Sequence, residues 1–105
     1  MKTKVTSIVG PYKVFTEYDP KTQTALMKVR KDNELIKTLS IYLNSLNDLA
    51  TITKKNDSDE ILYVLTAVES VKNQLLSKNG KVPSIFASGA FTAFKTTALS
   101  SIKGE

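Results

Sequence analysis

The stretch Tyr12-Lys13-Val14-Phe15-Thr16-Glu17-Tyr18 alternates side-chain character over seven residues. That two-residue period belongs to a strand with two unlike faces. Asp19-Pro20-Lys21-Thr22 follows, with Pro at the second position, where its fixed φ suits a type I turn. Working backward, Val5, Ser7 and Val9 alternate with Lys4, Thr6 and Ile8, and Gly10-Pro11 punctuates. Working forward, Thr24 to Arg30 alternates again, with Ala25, Met27 and Val29 on one side. Lys31-Asp32-Asn33 is a short polar turn that admits left-handed backbone. Glu34 to Leu43 is two-sided: Leu35, Leu39, Tyr42 and Leu46 fit a helix, whereas Leu39, Ile41 and Leu43 fit a strand. A three-residue turn after a strand suits a hairpin, which favours the strand. The first half thus reads as an antiparallel meander of three to four strands.

Past Asn44 the period changes to about 3.6 residues, and Leu, Ala, Lys and Asn dominate. Asn44 or Ser45 is expected to cap a short helix, with Leu46, Leu49 and Ala50 buried and Asp48 in its first turn. A loop at Lys54-Lys55-Asn56 separates it from a longer helix. Asp57 followed by Glu60 resembles a capping box, and Leu62, Leu65, Val68, Val71 or Lys72, and Leu75-Leu76 recur at helical spacing. Asn79-Gly80 supplies the left-handed stop. In the tail, Ser84 after Pro83 can start a further helix with a stripe of Phe91, Phe94, Ala98 and Ile102. Ser88-Gly89 and the threonines 92, 96 and 97 lower its propensity, which leaves an irregular tail as the other reading. The expected fold class is α+β in one domain: residues 1–43 strand-rich, 44–80 a helical layer, 81–105 a tail.

At 105 residues and 11.6 kDa the chain supports one core without staples. It has no Cys and no His. That excludes disulfides, thiolate metal sites, iron–sulfur clusters, Ser-His-Asp triads and histidine switches. No glycine-rich phosphate loop is present, and no lysine, tyrosine or carboxylate group stands at a diagnostic catalytic spacing. No enzyme activity and no cofactor are therefore expected. The acids Asp57, Asp59 and Glu60 read as first-turn residues favoured by the helix dipole rather than as a Mg²⁺ site. The basic start Met1-Lys2-Thr3-Lys4 lacks a following apolar signal core, and no apolar run approaches the ~20 residues of a spanning helix. The expectation is a cytoplasmic protein without a membrane partner, from a bacterium or a phage that infects one.

The net charge of +5 is unevenly placed. Through Lys37 there are eight basic residues against four acids, and thereafter seven against six. One parity of the strands collects Tyr12, Val14, Ala25, Met27, Val29, Leu39, Ile41 and Leu43, a core face. The other collects Lys4, Thr6, Lys13, Phe15, Thr24, Leu26, Lys28, Arg30, Thr38, Ser40 and Tyr42. Cations interleaved with aromatics suit single-stranded nucleic acid, because ammonium groups track phosphates while rings stack bases. With 14 Lys to one Arg, such a surface would grip backbone and read little sequence. The candidate contact residues are Lys4, Lys13, Phe15, Lys28, Arg30 and Tyr42. The bland alternative is that a helix or a second copy covers this face and the lysines are solubilising.

The junction Lys37-Thr38-Leu39-Ser40-Ile41-Tyr42-Leu43-Asn44, with Ser45-Leu46-Asn47-Asp48-Leu49, resembles the last strand and helix start of Whirly-type and transcriptional-coactivator-type single-stranded DNA-binding proteins. The resemblance covers Tyr12 to Thr53. It implies basic antiparallel strands followed by a helix, self-association into a homo-oligomer, and a nucleic-acid surface that includes Lys13, Phe15, Lys28 and Arg30. The second long helix and the tail depart from that pattern. The competing function is a protein-interaction module, a small inhibitor, adaptor or assembly factor that occludes a protein partner. Exposed Phe15 and Tyr42 would favour nucleic acid; exposed Phe86, Phe91 and Phe94 would favour a protein.

Overall fold

The computed structural model describes residues 2–54 and 57–103. Four strands, β1 (Thr3–Val9), β2 (Tyr12–Asp19), β3 (Thr24–Lys31) and β4 (Glu34–Tyr42), form one antiparallel sheet in the order β1-β2-β3-β4. Helices α1 (Asn47–Thr53), α2 (Ser58–Ser77) and α3 (Ala90–Lys103) follow, with a single 3₁₀ turn at Ser84–Phe86. The fold is α+β, a meander and then helices. Among the described residues no helix is long and apolar enough to cross a membrane.

Turn chemistry sets the sheet register. Val9 faces Tyr12 across Gly10-Pro11, with Gly10 at φ +56°. A positive φ followed by the fixed negative φ of proline is the sign pattern of a type II′ hairpin turn, whose twist matches that of the strands. Asp32 and Asn33 both take positive φ, as a type I′ turn requires. The β2–β3 connection is longer than the expected four-residue turn. Gln23 takes φ +56° and donates its N–H to the Asp19 carbonyl, while the Asp19 carboxylate accepts from the Lys21 N–H. Of the two-sided segment at 34–43, Glu34 to Tyr42 are strand. Opposite Val29-Arg30 it carries a bulge: Lys37 faces Val29 and Leu35 faces Arg30, so Ile36 is the extra residue.

The inner sheet face carries the core. Val14, Ala25, Met27, Val29 and Leu43 are fully buried, and α2 lies across β1 and β2 above them. The stripe of α2 differs from the expected one. Ile61, Val64, Leu65, Val68, Val71 and Leu75 are buried, whereas Leu62 and Leu76 are exposed. The buried arc is wider than the single row of leucines, because a helix lying on a sheet buries a broad stripe. Asp57 caps α2 by accepting the Glu60 N–H at 3.1 Å. Glu60 does not reach back to complete the box. It is buried and pairs with Lys37 of β4. The left-handed residue after α2 is Asn79, at φ +56°, and not Gly80.

The cap of α1 also differs from expectation. Leu46 occupies the cap position without a side-chain bond, while Ser45 Oγ accepts the Asn47 N–H from one residue further back. Ile52 joins Leu49 as its buried pair. Of the expected loop at Lys54-Lys55-Asn56, the last two residues lie outside the described ones. The tail is helical. Phe91 and Ala98 of α3 are buried, and Phe86 meets Phe91 edge-on at 5.1 Å. Ser84 does not cap α3: it opens the 3₁₀ turn and donates to the Asn44 side chain. Helix α3 starts only after Gly89, at φ +76°.

Candidate functional site

Strand parity sends the six candidate residues, Lys4, Lys13, Phe15, Lys28, Arg30 and Tyr42, to the outer sheet face, which none of the three helices covers. All six are exposed. The register arranges this face in rows that cross the strands. One runs Ile8, Lys13, Arg30, Leu35; the next runs Thr6, Phe15, Lys28, Thr38; then come Lys4, Glu17, Leu26, Ser40; and last Asp19, Thr24, Tyr42.

The rows divide the candidates. Lys13, Phe15, Lys28 and Arg30 fall in two adjacent rows that contain no acid. Lys13 stands directly opposite Arg30, and its Nζ lies 5.5 Å from the Phe15 ring centroid. Directly opposed like charges oppose sheet formation, and among the described residues Arg30 finds only the Asn33 carbonyl within hydrogen-bond reach, at 3.4 Å. Lys4 belongs elsewhere. It stands opposite Glu17 in the register, and the ion pair Glu17 makes is with Lys2, at 3.8 Å. Tyr42 lies in the row of Asp19 and Thr24, four residues along β3 from Lys28, about 13 Å at strand rise. Its hydroxyl accepts from Asn44. The sheet therefore has a cationic end and a charge-balanced end. Between them, a depression of about 340 Å³ is lined by Phe15, Leu26, Lys28, Lys4 and Glu17.

Three features of this face were not read from the sequence. Ile8 is 72 % exposed beside Lys13, and the bulge brings Leu35 opposite Arg30 with Ile36 next to it. The Lys13–Arg30 juxtaposition itself depends on register. The turn at Gly10-Pro11 and the alternation within each strand are visible, but the length of the β2–β3 loop, which fixes that register, is not.

A second polar cluster lies on the opposite side, at the start of α2. The Tyr12 hydroxyl donates to Asp59 at 2.9 Å, and the Tyr12 and Tyr63 rings pack 5.0 Å apart. The hydrogen bond to Asp59 raises the Tyr12 pKa. Burial, with the Glu60 charge adding to it, pushes Tyr63 up to about 12. Glu60 presents Oε1 to Lys37, while Oε2 has no hydrogen-bond partner among the described residues. The three acids of this segment are thus committed separately: Asp57 to a cap, Asp59 to a phenol, Glu60 to an ammonium. Among the described residues no cluster of acids is arranged to hold a metal ion.

Comparisons of the chain with protein-family models, with curated proteins and with solved structures give no match.

Proposed function

We propose that the outer sheet face binds single-stranded nucleic acid without catalysis. The observation that carries this reading is the acid-free cluster of Lys13, Lys28 and Arg30 around exposed Phe15. An anion placed there relieves the Lys13–Arg30 repulsion, and a base stacked on Phe15 contributes about 1–3 kcal/mol. One arginine among three cations supplies little base-edge readout, so sequence preference at this cluster is weak. The resemblance of Tyr12 to Thr53 to Whirly-type and coactivator-type single-stranded DNA-binding proteins points the same way. Lys4 and Tyr42 contribute less, since Glu17 balances the first and the second lies beyond the depression.

The experiment is an anisotropy titration of a labelled oligonucleotide at about 50 and 200 mM salt. Three phosphate contacts predict a log–log salt slope near −2 for a single strand. Lys28→Ala should flatten it by about 0.7, and Phe15→Ala should weaken binding about five- to a hundredfold. Absence of binding at low salt, or binding indifferent to salt, contradicts the proposal.

A second reading has its own observation. Ile8, Leu35 and Ile36 leave apolar surface beside the cations, which suits a protein partner or a second copy of the chain. On that reading the protein is an interaction module that occludes its partner. Light scattering after size exclusion separates the homo-oligomer version, which gives a mass above 11.6 kDa.

A further inference from the structure

Beyond the outer face, a groove of about 410 Å³ runs between the β1 edge and α2. Lys4 and Thr6 line it from β1; Ser70, Asn73 and Gln74 line it from α2. The last three fall at helical spacings of three and four, so they share one side of α2. Lys4 and Thr6 also line the depression on the outer face, so the two hollows meet at the β1 edge. Thr6 stands directly opposite Phe15. A strand stacked on Phe15 can therefore leave the sheet over Thr6 and enter the groove, with Glu17 to one side in the next row.

The groove has chemistry that the outer face lacks. Its lining holds one cation and no acid. Ser70 is already committed, accepting from Ser7 at 3.0 Å and donating to the Thr66 carbonyl. Among the described residues the side-chain amides of Asn73 and Gln74 have no hydrogen-bond partner. An amide offers a donor and an acceptor together, the pattern that pairs with the N6 and N7 edge of adenine. Those edges are free in an unpaired strand.

Resting on the nucleic-acid reading above, we propose that this groove is a second subsite in which Asn73 and Gln74 take the edges of bases beyond those on Phe15, adenine above the others. The cationic face then supplies affinity, and the groove supplies length dependence and a modest base preference.

The test uses labelled dA and dT homopolymers of roughly 4 and 12 nucleotides, the range over which small single-strand sites fill. They are titrated against the full chain, Phe15→Ala and the double variant Asn73→Ala/Gln74→Ala. Asn73 is exposed and Gln74 half-buried on α2, neither belongs to the buried core, and alanine favours the helix, so the double variant should fold; circular dichroism checks this. The double variant should bind the dA 12-mer roughly fivefold more weakly, lose the preference for dA over dT, and bind the 4-mers unchanged. Phe15→Ala should weaken both lengths. If the double variant binds the 12-mers as the full chain does, the groove proposal is overturned and the outer-face reading stands. A loss of 4-mer binding equal to that of 12-mer binding overturns the groove as a separate subsite. If the full chain binds neither length, both fall.

Discussion

The two faces of the sheet are built from alternate residues of the same four strands, yet they follow opposite rules. On the inner face, Val14, Ala25, Met27 and Val29 are sealed under α2 and its neighbours. The charge that reaches that side is answered, as Lys37 is by Glu60. On the outer face, Lys13 and Arg30 oppose each other without an acid, and Phe15 and Leu26 remain open. The inner arrangement contributes stability. The outer one costs some and contributes an attraction for anions. On the proposed reading, the stable complement of this surface lies outside the chain.

The comparison breaks most sharply at neighbouring residues of β3. Met27→Ala should lower the unfolding free energy by about 2–5 kcal/mol, because a fully buried side chain leaves a cavity. Leu26→Ala, at 39 % exposure, should cost well under half of that. Urea denaturation of the two variants measures the contrast. Next comes Lys37→Ala, which strands the buried Glu60 carboxylate. A fully enclosed pair would lose about 3–5 kcal/mol. The Lys37 side chain is 37 % exposed, so screening brings the expected loss to about 2 kcal/mol.

Alkaline pH gives a third contrast. A phenol whose pKa is raised on folding holds its proton more tightly in the native state. Tyr63 thus contributes fully below pH 10, and its contribution declines as pH rises from 10 to about 12. The slope in that window is at most about 1.4 kcal/mol per pH unit, and Tyr63→Phe should remove it from the pH dependence of stability. The smallest effect belongs to the outer face. Lys13→Thr removes one of two opposed cations and restores a good strand former. It should raise stability by a few tenths of a kcal/mol and weaken oligonucleotide binding in the same protein. A variant that loses both stability and binding would mean that Lys13 serves the fold.

Much of this division was legible beforehand because strand parity is local. The alternation in Tyr12–Tyr18 and Thr24–Arg30 places Phe15, Lys28 and Arg30 opposite in sense to Val14 and Met27 without any tertiary information. The meander followed from turn residues, of which Gly10, Asp32 and Asn33 adopt the left-handed backbone their types permit. The cap of α1 departs from expectation by a single residue, a local matter, whereas the larger departures depend on distant partners. Glu60 stands in the first turn of α2 as expected, but its burial and its pairing with Lys37 of β4 are set by the tertiary fold. Leu62 looks like core until α2 is set against β1 and β2 and turns that position outward. The tail, whose sequence leaves helix and irregular chain both open, is helical despite its threonines because Phe91 finds a buried seat beside Phe86. Within the site, the sequence placed six residues on one face, but only cross-strand register separates the cluster of Lys13, Phe15, Lys28 and Arg30 from Lys4 and Tyr42.

The most direct test of the outer face is an amide chemical-shift titration of the labelled protein with a short single-stranded oligonucleotide at low salt. The account predicts that the largest shifts fall at Lys13, Phe15, Lys28 and Arg30 and fade toward Tyr42, with Met27 and the interior of α2 near Val68 unmoved. Shifts concentrated on α3 or along β4 with the Lys13–Arg30 rows silent, or no shifts at all, would contradict it.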